Sequence, residues 1–181
     1  EWLQGWAELV KQAWIAGGGL WTEVSGGPWT HAPFWVRDAA EVKLQVVVAD
    51  PFERGTRRAL LNMGHTVGHA VESMVVALGL DYGHGDCVAL GLSVESRILD
   101  ALGQPGSAER SALRGRIAAD FQLDALRNMD SAAVWAAMQH DKKKRAGELR
   151  IVWSPEPGAP EIVLGIDEET FTTAWIADAA H

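Results

Sequence analysis

The chain has little of what disulfide-bonded, membrane-spanning and nucleic-acid-binding proteins need. Cys87 is the only cysteine among 181 residues, so no internal disulfide can form. The sequence shows no recognisable secretory signal and no apolar run long enough to span a bilayer. Its formal net charge is −8, whereas a phosphate-binding surface needs a basic stripe. We therefore expect a reduced, cytoplasmic protein that binds neither nucleic acid nor membranes.

What the chain does have is the composition of an ordinary globular domain. Its residues are 48% hydrophobic and 22% charged, which is enough for a sizeable core. Because no internal repeat or domain linker interrupts the sequence, we expect residues 1–181 to form a single domain. The sequence begins inside an amphipathic pattern, so we expect it to belong to a longer polypeptide. It contains no Gly-rich βαβ unit for a dinucleotide, since Gly17-Gly18-Gly19 follows a helical pattern rather than a strand.

Hydrophobic periodicity predicts a mainly α fold. The predicted helices cover about residues 2–16, 33–49, 56–78 and 86–102, two more that Ser107 and Asp130 cap, and a last one that Asp167 caps. Residues 148–153 and 161–164 are short β-like runs separated by a Pro/Gly-rich turn, a pattern typical of a hairpin. The sequence therefore predicts a helical domain with one small β-hairpin near its C-terminus.

The predicted helix over residues 56–78 has an unusual polar face. At about 100° per residue, five of its polar positions stay within an arc of roughly 80°. These positions are Arg58, Asn62, His65, His69 and Glu72. Such a stripe is often only a solvated face, but histidines and an asparagine are an odd choice for solubility. Gly64 and Gly68 each cost roughly 1 kcal/mol in a helix interior, so a close approach of backbone or ligand must justify them.

A metal site on this helix is a hypothesis that the residues support. Histidines four residues apart can share a metal ion, and a catalytic zinc has three protein ligands and an open position. No glutamate follows His65, which argues against a metalloprotease. His84, in a Gly-His-Gly segment, could add a ligand, although alone it is more often a loop histidine. Glu8 could supply a carboxylate, although Glu8 and Lys11 alone are more often an exposed ion pair one turn apart.

Taken in order, these segments resemble 3-dehydroquinate synthases. The resemblance covers the whole chain, which corresponds to the C-terminal, helical half of such an enzyme. The matching segments are residues 7–11, 41–43, 58–72, 84–86 and 141–143. The segment 58–72, which reads RALLNMGHTVGHAVE, is highly specific, whereas the first and last segments gain their weight from the order.

The resemblance implies a role for each matching residue. Three residues correspond to ligands of Zn²⁺ or Co²⁺: Glu8, His65 and His84. The substrate contacts correspond to Lys11, Lys43, Arg58, Asn62 and His69, with Lys142 or Lys143 as a further contact. Lys11, Asn62 and His69 are the implied catalytic residues. By the resemblance His69 is not a metal ligand but handles protons, a role open to it because a neutral imidazole near pH 7 can accept or donate.

The implied reaction converts 3-deoxy-arabino-heptulosonate 7-phosphate, a sugar acid phosphate of the shikimate pathway, to 3-dehydroquinate with release of phosphate. In this family NAD takes up a hydride and returns it, while zinc acts as a Lewis acid on the reacting hydroxyl. The family binds NAD on an N-terminal domain, for which these residues hold no counterpart. We therefore expect NAD to come from a domain in cis or in trans, no turnover by this chain alone, and a homodimer.

Three other functions stay open. The first is a related sugar phosphate cyclase, such as an aminodehydroquinate or a 2-deoxy-scyllo-inosose synthase, against which Asn62 argues weakly. The second is a metal-dependent alcohol dehydrogenase of the glycerol dehydrogenase kind, against which residues 58–62 argue. The third is a non-catalytic helical remnant that binds a partner. Departures from the family pattern at Val67 and at Asp86-Cys87 lie beside predicted ligands, where they could change how these ligands are held.

Overall fold

The structure, a computed structural model, describes residues 2–52, 57–144, 149–159 and 161–180, and for residues 31 and 141–144 the backbone alone. The α-helices of this part are α1 (Trp2–Ala16), α2 (Gly18–Gly26), α3 (Ala32–Ala49), α4 (His65–Leu78), α5 (His84–Ala101), α6 (Ser107–Asp120), α7 (Asp124–Arg127), α8 (Ser131–Lys144) and α9 (Glu168–Ala179). The remaining elements are strands β1 (Arg150–Trp153) and β2 (Ile162–Gly165) and 3₁₀ helices at Trp29–His31 and Arg57–Asn62. The expected mainly α fold is confirmed.

Helix α5 is the centre of the core. Its sequence is apolar or small almost all round, and a helix of that kind must be buried on every side. Val88, Leu90, Ile98 and Leu99 are each fully buried. Helices α1, α4, α6 and α9 pack around α5 and surround it. The helix that begins at His84 is therefore anchored in the core.

Helix α4 packs closely along α5. Val67, Val71 and Val75 are buried on the face that α4 turns inward. A Cβ at Gly68 would lie 3.1 Å from the carbonyl oxygen of Cys87 on α5, so glycine lets the two backbones approach. The close backbone approach expected at Gly68 is confirmed.

The single helix predicted over residues 56–78 was wrong. Residues 53–56 lie outside the described residues, a 3₁₀ helix covers Arg57–Asn62, and α4 begins only at His65. Gly64 precedes it with a φ of +74°, in the left-handed region that glycine adopts without strain. A Cβ at Gly64 would also lie 2.7 Å from Cγ of Leu92. The polar stripe is thus split between two elements rather than lying on one helix face.

Helix boundaries differ from the predictions at three further places. The glycine run ends α1 as predicted, but α2 begins within that run and had no counterpart in the prediction. His84 is the first residue of α5 rather than part of a loop. Ser107 is the first residue of α6, and its N-cap is Gly106, whose φ is +86°. Before α2 and α6 a glycine with a positive φ permits the local turn, and hydrophobic spacing alone does not fix on which side of a glycine the helix starts.

The C-terminal predictions are confirmed. The hairpin is antiparallel, with Ile151 opposite Leu164 and Trp153 opposite Ile162. The backbone N–H of Thr170 donates to Oδ1 of Asp167 at 2.8 Å, which caps α9 as expected. None of the helices in the described ranges combines the length and the apolarity that crossing a membrane requires.

Candidate metal and substrate site

Three helices bring one candidate ligand each to the same place. Glu8 lies on α1, while His65 and His84 are the first residues of α4 and α5. One ligand atom from each residue lies within 4.8 Å of the others, and His65 Nε2 is 3.2 Å from Glu8 Oε1. The two imidazole ring centres are 5.5 Å apart. Two nitrogens and a carboxylate oxygen form a donor set that suits Zn²⁺ or Co²⁺.

The hydrogen bonds of the two histidines decide which nitrogen is available. His65 Nδ1 lies 3.0 Å from the carbonyl oxygen of Met63, which can only accept, so Nδ1 carries the proton. His84 Nδ1 lies 3.1 Å from Oε1 of Glu72, a carboxylate oxygen in the same role. A neutral ring at either position therefore has its lone pair on Nε2. This arrangement is the usual way in which proteins orient metal-binding histidines.

A buried oxygen of Glu8 supports the presence of a cation. Oε1 of Glu8 is inaccessible to solvent and has no hydrogen-bond donor among the described residues. It faces Nε2 of His65, so with a neutral imidazole two lone pairs point at each other across 3.2 Å. A divalent ion between the two atoms relieves this repulsion and satisfies both. The residues present therefore fit the metal that the sequence resemblance implies.

The other oxygen of Glu8 pairs with a buried lysine. Nζ of Lys11 lies 2.8 Å from Glu8 Oε2 and also donates to the carbonyl oxygen of Leu61 at 2.6 Å. Burial opposes ionisation of Glu8, but the adjacent imidazole of His65 and the charge of Lys11 lower its pKa to about 2. Burial also lowers the pKa of Lys11, although the Glu8 carboxylate opposes this. Lys11 is only 2% exposed, so the exposed ion pair considered from the sequence is not what forms.

An open cavity of about 510 Å³ lies next to the three ligands. It is lined by Glu8, Lys11, Lys43, Arg58, Ala59, Leu61, Asn62, His65 and His84. Three of these residues are cationic, one from each of α1, α3 and the 3₁₀ helix. Cationic side chains that line a cavity attract anionic groups and hold them in place. The cavity therefore suits a small, negatively charged molecule next to a metal ion.

The structure brings most of the predicted site residues together. The predicted substrate contacts Lys43, Arg58 and Asn62 all reach the cavity wall. His69 is not part of that wall, but its ring centre lies 5.1 Å from that of His65 and 6.2 Å from that of His84. The side chains of Lys142 and Lys143, at the end of α8, lie outside the described residues.

The hydrogen bonds by which Gln4 and Asp86 hold the start of α5 were missed from the sequence. Gln4 donates through Nε2 to Asp86 Oδ2 at 2.7 Å and accepts from the backbone N–H of Gly85 at 2.7 Å. Asp86 also accepts from the N–H of Gly83 at 2.9 Å, so it caps the turn that begins α5. Gln4 lies one turn before Glu8 on α1, and Asp86 lies two residues after His84. This contact therefore joins the helices that carry two of the three ligands.

A second missed residue is Glu95, which is fully buried on α5. Burial raises the pKa of Glu95 to about 7, although hydrogen bonds from the backbone amides of Val67 and Gly64 oppose the rise. In the sequence Glu95 looks like one polar residue within an apolar helix. Only the packing of α5 under the start of α4 gives it partners, so no spacing rule could have identified it.

A comparison with protein families decides the assignment of the chain. Residues 5–144 match the profile of the family described as 3-dehydroquinate synthase C-terminal. The chain belongs to this family. The match includes Glu8, His65 and His84, and it ends before the hairpin and α9.

Solved structures with the same fold include 2-deoxy-scyllo-inosose and 2-epi-5-epi-valiolone synthases. A 2-deoxy-scyllo-inosose synthase complexed with carbaglucose-6-phosphate, NAD⁺ and Co²⁺ aligns with 96% of this chain at a TM-score of 0.76 and 17% identity. A 2-epi-5-epi-valiolone synthase from Streptomyces hygroscopicus subsp. jinggangensis 5008, with NAD⁺ and Zn²⁺ bound, aligns with 99% at a TM-score of 0.73 and 19% identity. At these identities the likeness shows the fold. The cofactors named for these relatives agree with those that the sequence resemblance leads us to expect.

The chain spans about half the length of these structures. It covers 50% of the 2-deoxy-scyllo-inosose synthase and 51% of the valiolone synthase. The fold and the cluster of Glu8, His65 and His84 are features of this chain itself. The activity of the whole enzymes is a property of those longer proteins.

Proposed function

We propose that residues 1–181 form the metal- and substrate-binding domain of a 3-dehydroquinate-synthase-type sugar phosphate cyclase, with Glu8, His65 and His84 as its metal ligands. NAD comes from a further domain, in cis or in trans, and the assembled enzyme works in the cytoplasm as a homodimer. One observation carries this proposal above the others. The unpaired Glu8 Oε1 faces His65 Nε2 beside a cavity that three cations line.

The charges of the cavity favour a substrate with two anionic ends. Lys11, Lys43 and Arg58 lie on three different elements and enclose the cavity. A sugar acid phosphate carries a carboxylate and a phosphate, whereas a hexose phosphate carries only the phosphate. Lys11 already pairs with Glu8, but Lys43 and Arg58 match the first better, because each anionic group then has a cationic partner. We therefore favour 3-deoxy-arabino-heptulosonate 7-phosphate as the substrate and 3-dehydroquinate as the product.

The side chains of this chain bind, orient and move protons. A bound Zn²⁺ or Co²⁺ would supply Lewis-acid activation of a substrate hydroxyl. Glu72 keeps the Nδ1 proton on His84, and Met63 does the same for His65 through its carbonyl oxygen. The ring centre of His69 lies 5.1 Å from that of His65 and 6.2 Å from that of His84, and a neutral imidazole there can accept or donate a proton.

A metal titration tests this proposal. The purified chain should bind one Zn²⁺, and His65→Ala should abolish or severely weaken that binding. His140→Ala is the matched control, because His140 is exposed on α8 and does not line the cavity. Equal affinity in wild type and His65→Ala would contradict the ligand set, and it would favour a binding module over an enzyme.

The substrate assignment needs the assembled enzyme. Joined to an NAD-binding domain and supplied with NAD⁺, the chain should release phosphate from 3-deoxy-arabino-heptulosonate 7-phosphate. Lys43→Met should raise the KM for this substrate more than the KM for a hexose phosphate, since it removes one cationic partner. Release of phosphate from a hexose phosphate alone would favour a cyclase like the inosose synthase relatives instead.

A further inference from the structure

A buried carboxylate lies beneath the metal site. Glu95 follows His84 by three turns on α5. Its Oε2 accepts a hydrogen bond from the backbone N–H of Gly64 at 2.8 Å, and its Oε1 accepts one from the N–H of Val67 at 3.1 Å. These two amides flank His65 on either side. The carboxylate therefore holds the backbone that carries a proposed metal ligand.

The start of α4 depends on this carboxylate. The first amides of a helix have no partner within the helix, and a side chain at the N-cap usually accepts from them. The N-cap of α4 is Gly64, which has no side chain to do so. The amides of Gly64 and Val67 are buried with it, so without Glu95 they would be unpaired. A negative charge at this position also suits the positive end of the helix dipole.

Gly91 makes room for the same contact. It lies on α5 one turn before Glu95, and a Cβ there would overlap the carbonyl oxygen of Gly64. Gly91 has no side chain, and Glu95 accepts from two amides at the start of α4. The start of α4 therefore packs closely against α5. Because α5 also begins at His84, this close packing sets the distance between His65 and His84.

We propose that Glu95 is a positioning residue of the metal site, because its carboxylate fixes the backbone of His65 at the distance from His84 that a shared cation requires. This inference rests on the proposed function, since it takes Glu8, His65 and His84 as the ligands. The alternative is that Glu95 stabilises the packing of α4 on α5 without affecting the site. If Glu95 positions the site, its substitution lowers the metal affinity of the folded protein; if it only stabilises the packing, that affinity stays unchanged.

The test compares two substitutions at Glu95 with a buried control on the same helix. The probe is Co²⁺, titrated into purified, folded chain and followed by its visible absorption spectrum, which reports the geometry of coordination. Glu95→Leu should weaken Co²⁺ binding about tenfold or more and change the spectrum. Glu95→Gln keeps one acceptor oxygen and should fall between. Leu99→Ala, one turn along α5, should lower thermal stability without changing either the affinity or the spectrum.

A second readout needs no metal. Hydrogen exchange of the Gly64 and Val67 amides should accelerate in both Glu95 variants and stay slow in Leu99→Ala. If Glu95→Leu does not fold, Glu95→Gln carries the comparison with Leu99→Ala.

The outcomes separate this inference from the proposed function. Unchanged affinity and spectrum in the folded Glu95 variants, or an equal loss of affinity in Leu99→Ala, would overturn the inference. If His65→Ala loses Co²⁺ while the Glu95 variants bind it like wild type, the inference alone fails. If His65→Ala binds like wild type, the proposed ligand set fails and the inference fails with it.

Discussion

The two histidines of the proposed metal site occupy the same kind of position but are held in different ways. His65 begins α4 and His84 begins α5. His65 is 13% exposed and its Nδ1 donates to a main-chain carbonyl. His84 is 45% exposed and its Nδ1 donates to Glu72, a side chain that is 36% exposed. The fold itself orients the first histidine, while a pair near the surface orients the second.

The backbone beneath each histidine shows the same contrast. Buried Glu95 holds the start of α4, whereas Gln4 and Asp86, both part-buried, hold the start of α5. A hydrogen bond in a low-dielectric interior is stronger, and a partner left unpaired there costs more than one that water can reach. Changes on the His65 side should therefore have larger effects than changes on the His84 side.

The largest effect is expected at Gly91. Gly91→Ala places a methyl group against the carbonyl of Gly64, so α4 must shift away from α5. Overpacking of this kind costs about 1–3 kcal/mol of unfolding free energy, and metal affinity should fall with it. The matched control is Gly115→Ala on α6, where a Cβ meets open space and should stabilise the chain by about 0.5–1 kcal/mol. Urea unfolding measures the free energy of unfolding of both variants. Equal changes in the two would contradict the close packing of α4 on α5.

A smaller effect is expected at Glu72, on the His84 side. Glu72→Ala removes the acceptor that fixes the ring of His84, and loss of such a partner weakens metal binding about 10–100-fold. Unfolding free energy should change little, because the pair is exposed. Isothermal titration with Zn²⁺ measures the affinity, with Glu109→Ala on α6 as the control. A loss of stability larger than that of Gly91→Ala would reverse the proposed contrast between the two sides.

A still smaller effect is expected where α1 meets α5. Gln4→Leu removes the acceptor for the N–H of Gly85 and the donor to Asp86, at a cost of about 1 kcal/mol because the site is only part-buried. Zn²⁺ affinity should fall by a few-fold, since Glu8 and His84 both lose some of their alignment. Gln45→Leu, at an exposed position of α3, is the control and should change neither quantity. An unchanged affinity in Gln4→Leu would show that this contact does not align the ligands.

Stability should also depend on pH, with opposite signs for two carboxylates. The pKa of Glu8 is lowered to about 2 in the folded chain, so its contribution is lost as the pH falls from about 4.5 to about 2. The pKa of Glu95 is raised to about 7, so its contribution is lost as the pH rises from about 4.5 to about 7. Unfolding of metal-free Glu95→Gln should lack the second decline. A wild type that gains stability relative to Glu95→Gln over that range would contradict the assignment.

Much of the fold could be predicted because its signals are local. Asp167 caps its own helix, and the two β-like runs pair across their own turn. The break before His65 could not be predicted, because a 3₁₀ helix followed by a left-handed glycine keeps the same polar side chains near one another as a continuous helix does. Periodicity measures which residues share a side, and it does not detect a change in the type of helix.

The site residues also divide into those that the sequence could identify and those that depend on contacts distant in sequence. The resemblance identified Glu8, His65 and His84, and the structure brings them together. Gln4 and Glu95 were missed because their partners lie 82 and 31 residues away in sequence. Contacts at such separations arise from the packing of α1 and α4 on α5, which no local pattern records.

The most direct test of the ligand set is anomalous diffraction at the zinc absorption edge from crystals of the Zn²⁺-loaded chain. The account predicts one strong peak about 2.0–2.2 Å from Nε2 of His65, from Nε2 of His84 and from a carboxylate oxygen of Glu8. A peak at the Nδ1 atom of either histidine, or a zinc site that leaves Glu8 unbound, would contradict it.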